Sequence, residues 1–133
     1  MLRSSRCALL MVLAGVLLAA TSWAQKGPKV KYDPATEVKV GGTIDEVKEF
    51  ECPASGTMGY HISLKTGDGV VMVHVASSKF MKDYEINFEK GQHIDVVGSK
   101  VKLPNGEDGV LAREILRGQS TYAFRDKQGT PLW

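Results

Sequence analysis

The sequence predicts an all-β protein: one small barrel of five to six short strands with a single short helix between strands 3 and 4. Three observations carry this. Period-2 alternation of apolar and polar residues recurs in short runs. Turn signals separate the runs, among them Gly67-Asp68, Lys90-Gly91 and Asn105-Gly106. No helical spacing extends beyond about two turns.

The chain opens on a segment that is not expected to belong to the fold. Arg3 and Arg6 precede an apolar run, and Ser22-Trp23-Ala24 supplies small residues ahead of a cleavage site before Gln25. Residues 1–24 therefore read as a secretory signal peptide, too short and wrongly flanked for a membrane span. An exported location, periplasmic or secreted, follows, with membrane contact only through an uncleaved signal sequence. Residues 25–36, lysine-rich around Pro28 and Pro34, read as an extended tether, and residues 37–133 as one domain with one core.

Processing changes the charge. The chain has 17 basic and 15 acidic residues, and the leader holds Arg3 and Arg6 but no acid, so the remainder is formally neutral. A neutral domain lacks the basic footprint of a nucleic-acid binder. Of the two cysteines, Cys7 falls in the leader. Cys52 alone remains, so no internal disulfide is expected; it is a buried thiol, an intermolecular bridge or a metal or redox ligand.

The first strand, 37–47, contains Gly41-Gly42, a pair expected where a strand bends to turn a barrel corner. Residues 50–58 read as a loop. Residues 59–77, GYHISLKTGDGVVMVHVAS, give a hairpin. A three-residue turn shifts its register and leaves His61 and His74 unpaired, whereas a two-residue turn at Gly67-Asp68 or a four-residue turn from Thr66 to Gly69 pairs Lys65 with Val70 and His61 with His74. The two imidazoles then stand on adjacent strands with Cβ atoms about 4.5–5.5 Å apart. They occupy the face that Ile62, Leu64, Val71 and Val73 do not use, expected to be half-exposed. Ser77 or Ser78 caps a helix of about two turns. Strands at 93–101, 110–116 and 121–125 follow.

Five antiparallel strands, a bent first strand and a helix between strands 3 and 4 make an OB-fold-like plan. At the level of motif, GYHISLKT at 59–66, Val73-His74-Val75, Val97-Gly98-Ser99, Ala112-Arg113-Glu114-Ile115, Phe124-Arg125-Asp126 and the ending Gly129-Thr130-Pro131-Leu132-Trp133 resemble the MamS/MamX-type domain of magnetosome proteins. More distantly, the layout is similar to exported bacterial OB-fold proteins of the YgiW/YdeI type. The resemblance implies a barrel in or facing the periplasm and, for the magnetosome members, a part in iron-mineral growth. No CxxCH is present, so the haem-binding portion of MamX-type proteins is absent.

The strand 2–3 face is the usual OB ligand face. Neutral imidazoles are ligands for copper, zinc, nickel and iron. His61 and His74 are thus the leading metal candidates, with Cys52, Met58 and Met72 as possible completing donors. Lys65 and Trp133 are candidates for contact with a protein partner. His93 reads as a solvated edge residue, and Arg113 and Arg125 as surface ion-pair formers of small energetic weight. No oxyanion-hole pattern or paired carboxylates accompany Cys52, so a binding module is expected and not an enzyme. Its ligand is a transition metal or, alternatively, a protein of the cell envelope.

Overall fold

The computed structural model describes residues 30–133. The expected signal peptide, and residues 25–29 of the expected tether, lie outside the described residues.

The alternating runs form β1 (Glu37–Glu51), β2 (Met58–Thr66), β3 (Gly69–Ser77), β4 (His93–Lys102), β5 (Asp108–Arg117) and β6 (Ser120–Ala123). A short helix, α1 (Ser78–Asp83), lies between β3 and β4, where the sequence predicts one. Its N-cap is Ser77, whose hydroxyl accepts from the Phe80 amide at 3.1 Å. Strand order is β3-β2-β1-β4-β5-β6, and a short parallel pairing of β3 with β5 closes five strands into a ring. The fold is the all-β barrel with one short helix that the sequence predicts.

β1 makes the ring possible by serving two neighbours in turn. Residues Glu37 to Thr43 pair with β4, and Thr43 onward with β2, with a bulge between Ile44 and Glu46. Gly41-Gly42 sits at this handover, the bend expected of it. The Lys65 carbonyl oxygen would lie 2.2 Å from any Cβ at Gly42, so only glycine lets β2 approach there.

Two expectations along the chain need correction. β1 runs to Glu51, because Glu49, Phe50 and Glu51 pair with Tyr60, Gly59 and Met58; the loop shrinks to 52–57. Residues 30–36 are not a free tether. The Val30 amide donates to the Ala54 carbonyl at 3.1 Å, and the Asp33 amide to Ser99 Oγ at 3.1 Å. Tyr32 Oη donates to Glu37 Oε2 at 2.6 Å, and Arg113 Nε and Nη2 both donate to that carboxylate at 2.9 Å. Lysine content suggested a solvated segment; Val30 and Tyr32, packed on the barrel, decided otherwise.

The barrel interior holds the main core, including Ile62, Leu64, Val73, Ile94, Ile115 and Phe124. Fully burying each such side chain contributes about 1.5–3 kcal/mol. A second, smaller core lies outside the barrel wall. There Leu111, Leu103 and Ala54 meet Cys52, with Val30 and Tyr32 packed over them. This outer core positions the site.

Candidate metal centre

The β2–β3 register is the predicted one. The turn is Gly67-Asp68, Lys65 pairs with Val70, and His61 faces His74. A bulge between Tyr60 and His61 falls immediately beyond this pair. The two rings meet edge to face, centroids 4.7 Å apart and planes at 86°. As expected, they use the face opposite Ile62 and Val73.

That face, however, is not half-exposed. His61 is 1% exposed and His74 5%. The roof over them comes from the 52–57 loop and the segment beginning at Val30, neither of which belongs to the hairpin. Phe50 stacks flat on His61, centroids 3.8 Å apart at 8°.

Cys52 enters from the roof. Its amide donates to the Thr57 carbonyl at 2.7 Å, and its own carbonyl accepts from Ser55 and Gly56 at 3.2 and 2.7 Å. The loop is therefore closed by its own backbone. Cys52 is buried and unbridged, with Sγ 3.2 Å from His74 Nδ1. One donor atom from each of Cys52, His61 and His74 lies within 4.8 Å of the others. Ligands on one four-coordinate ion stand roughly 3.5 Å apart, given metal–nitrogen and metal–sulfur bonds of about 2.0 and 2.3 Å. The cluster is close to that spacing.

Among the described residues three imidazole nitrogens have no partner: His61 Nδ1, His61 Nε2 and His74 Nε2 are buried without a hydrogen bond. Leaving such a group unpaired costs about 1–3 kcal/mol, so orphans of this kind call for an explanation, a bound ion among them. Burial also pushes both imidazoles down from 6.5 to about 4. For His74 the neighbouring His61 adds to the effect. Backbone groups of Gly59 and Lys48 offset a little of it for His61, yet neither reaches hydrogen-bond geometry with the ring. Both rings are thus neutral at ordinary pH, the form that ligates metals.

Two glycines make room for the rings. A Cβ at Gly59 would stand 3.0 Å from His61 Cε1 and 3.1 Å from Cys52 Cβ; one at Gly109 would stand 3.0 Å from His74 Nε2. Sequence reasoning passed over both. Their signal was glycine inside a strand, which marks close approach.

The other candidates are placed elsewhere. Met58 is exposed at the start of β2, opposite Glu51. Met72 pairs with Ser63 and is half-buried. Neither lines the cavity where Cys52, His61 and His74 meet. Lys65 is solvated and pairs with Asp45 at 3.1 Å. His93 is exposed, as expected, with Nε2 4.0 Å from Asp95. Trp133 packs on Phe80, centroids 5.8 Å apart, and stays 43% exposed.

Arg113 forms the ion pair expected of it, though not on the open surface, and Arg125 forms none among the described residues. Arg113 is half-buried in its two-pronged bond with Glu37. The Arg125 guanidinium lies over Trp133 at 5.0 Å and Tyr32 at 5.8 Å, and donates to the Gly129 carbonyl at 2.9 Å. It also lines the cavity of about 50 Å³ that Cys52, His61 and His74 share.

Fold and site together define a small all-β barrel with a thiol and two imidazoles buried against the outside of its wall. Residues 36–122 match the MamS/MamX magnetosome protein family, and the chain belongs to that family. Cys52, His61 and His74 lie inside the matched region; Arg125 and Trp133 follow it. No curated protein matches the chain.

Proposed function

We propose that this protein is an exported metal-binding module of the magnetosome-associated family, and that Cys52, His61 and His74 hold one transition-metal ion. The observation that carries the reading is the buried cluster itself: three donors of suitable chemistry within 4.8 Å, with three imidazole nitrogens lacking a hydrogen-bond partner among the described residues. A thiolate with two imidazoles suits copper, zinc or ferrous iron and discriminates against calcium and magnesium. Deprotonated and neutral donors are required, and both imidazoles are already neutral. The apolar leader supports an exported location, where the protein binds its ion without turning over a substrate.

Calorimetric titration with Cu²⁺, Zn²⁺ and, without oxygen, Fe²⁺ tests the reading. Saturable binding of one ion per chain is expected, lost in His61→Ala/His74→Ala and weakened at least tenfold in Cys52→Ser. Circular dichroism checks that the variants fold. Folded variants that bind as the parent does, or a parent that binds no ion, would remove the proposal.

A further inference from the structure

We infer that the Cys52–His61–His74 site takes copper and cycles it between Cu(II) and Cu(I). The inference rests on the metal-binding reading above and specifies it.

The donor set is the first argument. One cysteine and two histidines in a trigonal arrangement is the set of copper electron-transfer sites. A structural zinc site needs four protein ligands. Among the described residues the cavity offers no fourth strong donor. Its hydroxyls are committed, with Ser77 Oγ capping α1 and Ser55 Oγ bonded to Thr57 Oγ1 at 3.0 Å. No carboxylate side chain lines it, and the remaining lining is largely apolar.

Charge is the second. Thiolate and Cu(I) together are neutral, whereas thiolate with any divalent ion leaves a net positive charge. Burial disfavours that charge. Arg125, lining the same cavity, disfavours it further. The site therefore leans toward the reduced ion, while two imidazoles with a thiolate still hold Cu(II).

Rigidity is the third. Both oxidation states must share one geometry for electron transfer to be facile. Here Cys52 sits in a backbone-closed loop, His61 is stacked on Phe50, and both imidazoles lie against glycines. In the proposed cycle a one-electron carrier gives one electron to Cu(II), producing Cu(I) and the oxidised carrier, and a second one-electron carrier of higher potential takes that electron and restores Cu(II). The copper–sulfur and copper–nitrogen bonds persist and no proton moves.

The test uses purified protein loaded with one equivalent of Cu²⁺, and a parallel sample with Zn²⁺. The copper sample should show an intense visible sulfur-to-copper charge-transfer band, absent in Cys52→Ser. Ascorbate should bleach it and ferricyanide restore it, with copper per chain unchanged after dialysis. Arg125→Gln, which leaves the three donors in place, should shift the reduction potential downward. Zinc binding one to one, while copper gives no such band or merely oxidises Cys52, would overturn the copper inference and leave the metal reading standing. If neither ion binds, the copper inference falls, and if Fe²⁺ without oxygen does not bind either, the metal reading falls with it.

Discussion

Cys52 Sγ stands 3.2 Å from His74 Nδ1, joining a roof loop to the middle of a hairpin across 22 residues of chain. Among the described residues this is the sole hydrogen bond that any of the four imidazole nitrogens of His61 and His74 makes. The pair is therefore separable from its third member. Cys52→Ala should destabilise the metal-free protein by about 1–3 kcal/mol, the cost of orphaning a buried nitrogen. Urea denaturation measures it, and an unchanged midpoint would mean that the contact carries no weight.

His61 predicts the opposite sign. Both its nitrogens are already unpaired, so an apolar replacement removes a penalty without removing a bond. His61→Leu should leave metal-free stability unchanged or raise it by about 1–2 kcal/mol, offset in part by the lost stack on Phe50. The same variant should lose the rise in melting temperature that a bound ion gives the parent. A strongly destabilised His61→Leu would mark the residue as structural.

Acid should weaken the metal-free fold in a defined window. The imidazoles titrate near 6.5 when unfolded and at about 4 when folded. Between those values the unfolded chain binds protons that the folded chain refuses, so stability falls as pH falls. The loss is on the order of 3 kcal/mol per imidazole, begins as pH falls through about 6.5 and levels below about pH 4. Chemical denaturation from pH 7.5 to 4 should show it, and removing both histidines should flatten that slope.

Glycine substitutions separate barrel closure from the site. Gly42→Ala drives a Cβ to 2.2 Å from the Lys65 carbonyl oxygen, a backbone atom that cannot step aside. A loss of about 2–4 kcal/mol is expected. At Gly41 the nearest atom is the movable Asp95 carboxylate, so Gly41→Ala should cost under about 1 kcal/mol. Gly109→Ala presses on the His74 ring and should weaken ion binding more than it lowers the melting temperature. Equal effects at Gly41 and Gly42 would contradict this account of closure.

The roof is held by Arg113. Its bidentate bond to Glu37, with side chains 18% and 28% exposed, also fixes the carboxylate that accepts from Tyr32. Arg113 holds that carboxyl below its usual range, with the Tyr32 hydrogen bond acting in the same direction. Arg113→Met should cost about 1–3 kcal/mol and speed hydrogen exchange at the Val30 amide. Slow exchange persisting there would show that the segment is seated without the ion pair.

The hairpin was legible because its register depends on local features alone. A Gly-Asp turn of two or four residues between two alternating runs places His61 opposite His74, and the structure has the two-residue turn. Gly41-Gly42 announced the bend of β1, and Ser77 the start of α1, for equally local reasons. Burial of the site was not legible. It depends on Val30, Tyr32 and the 52–57 loop lying over the strand face, and nothing in their alternation or spacing signals that contact.

By itself, then, the sequence determined an all-β barrel with its helix between β3 and β4 and two histidines side by side on one strand face. Turn chemistry and period-2 patterning act over a few residues and need no tertiary context. Only the tertiary structure decided that Cys52, and neither Met58 nor Met72, joins the histidines, and that Arg125 borders the same cavity. Those choices turn on how distant segments pack outside the barrel wall, a matter of shape and solvent exclusion across the chain.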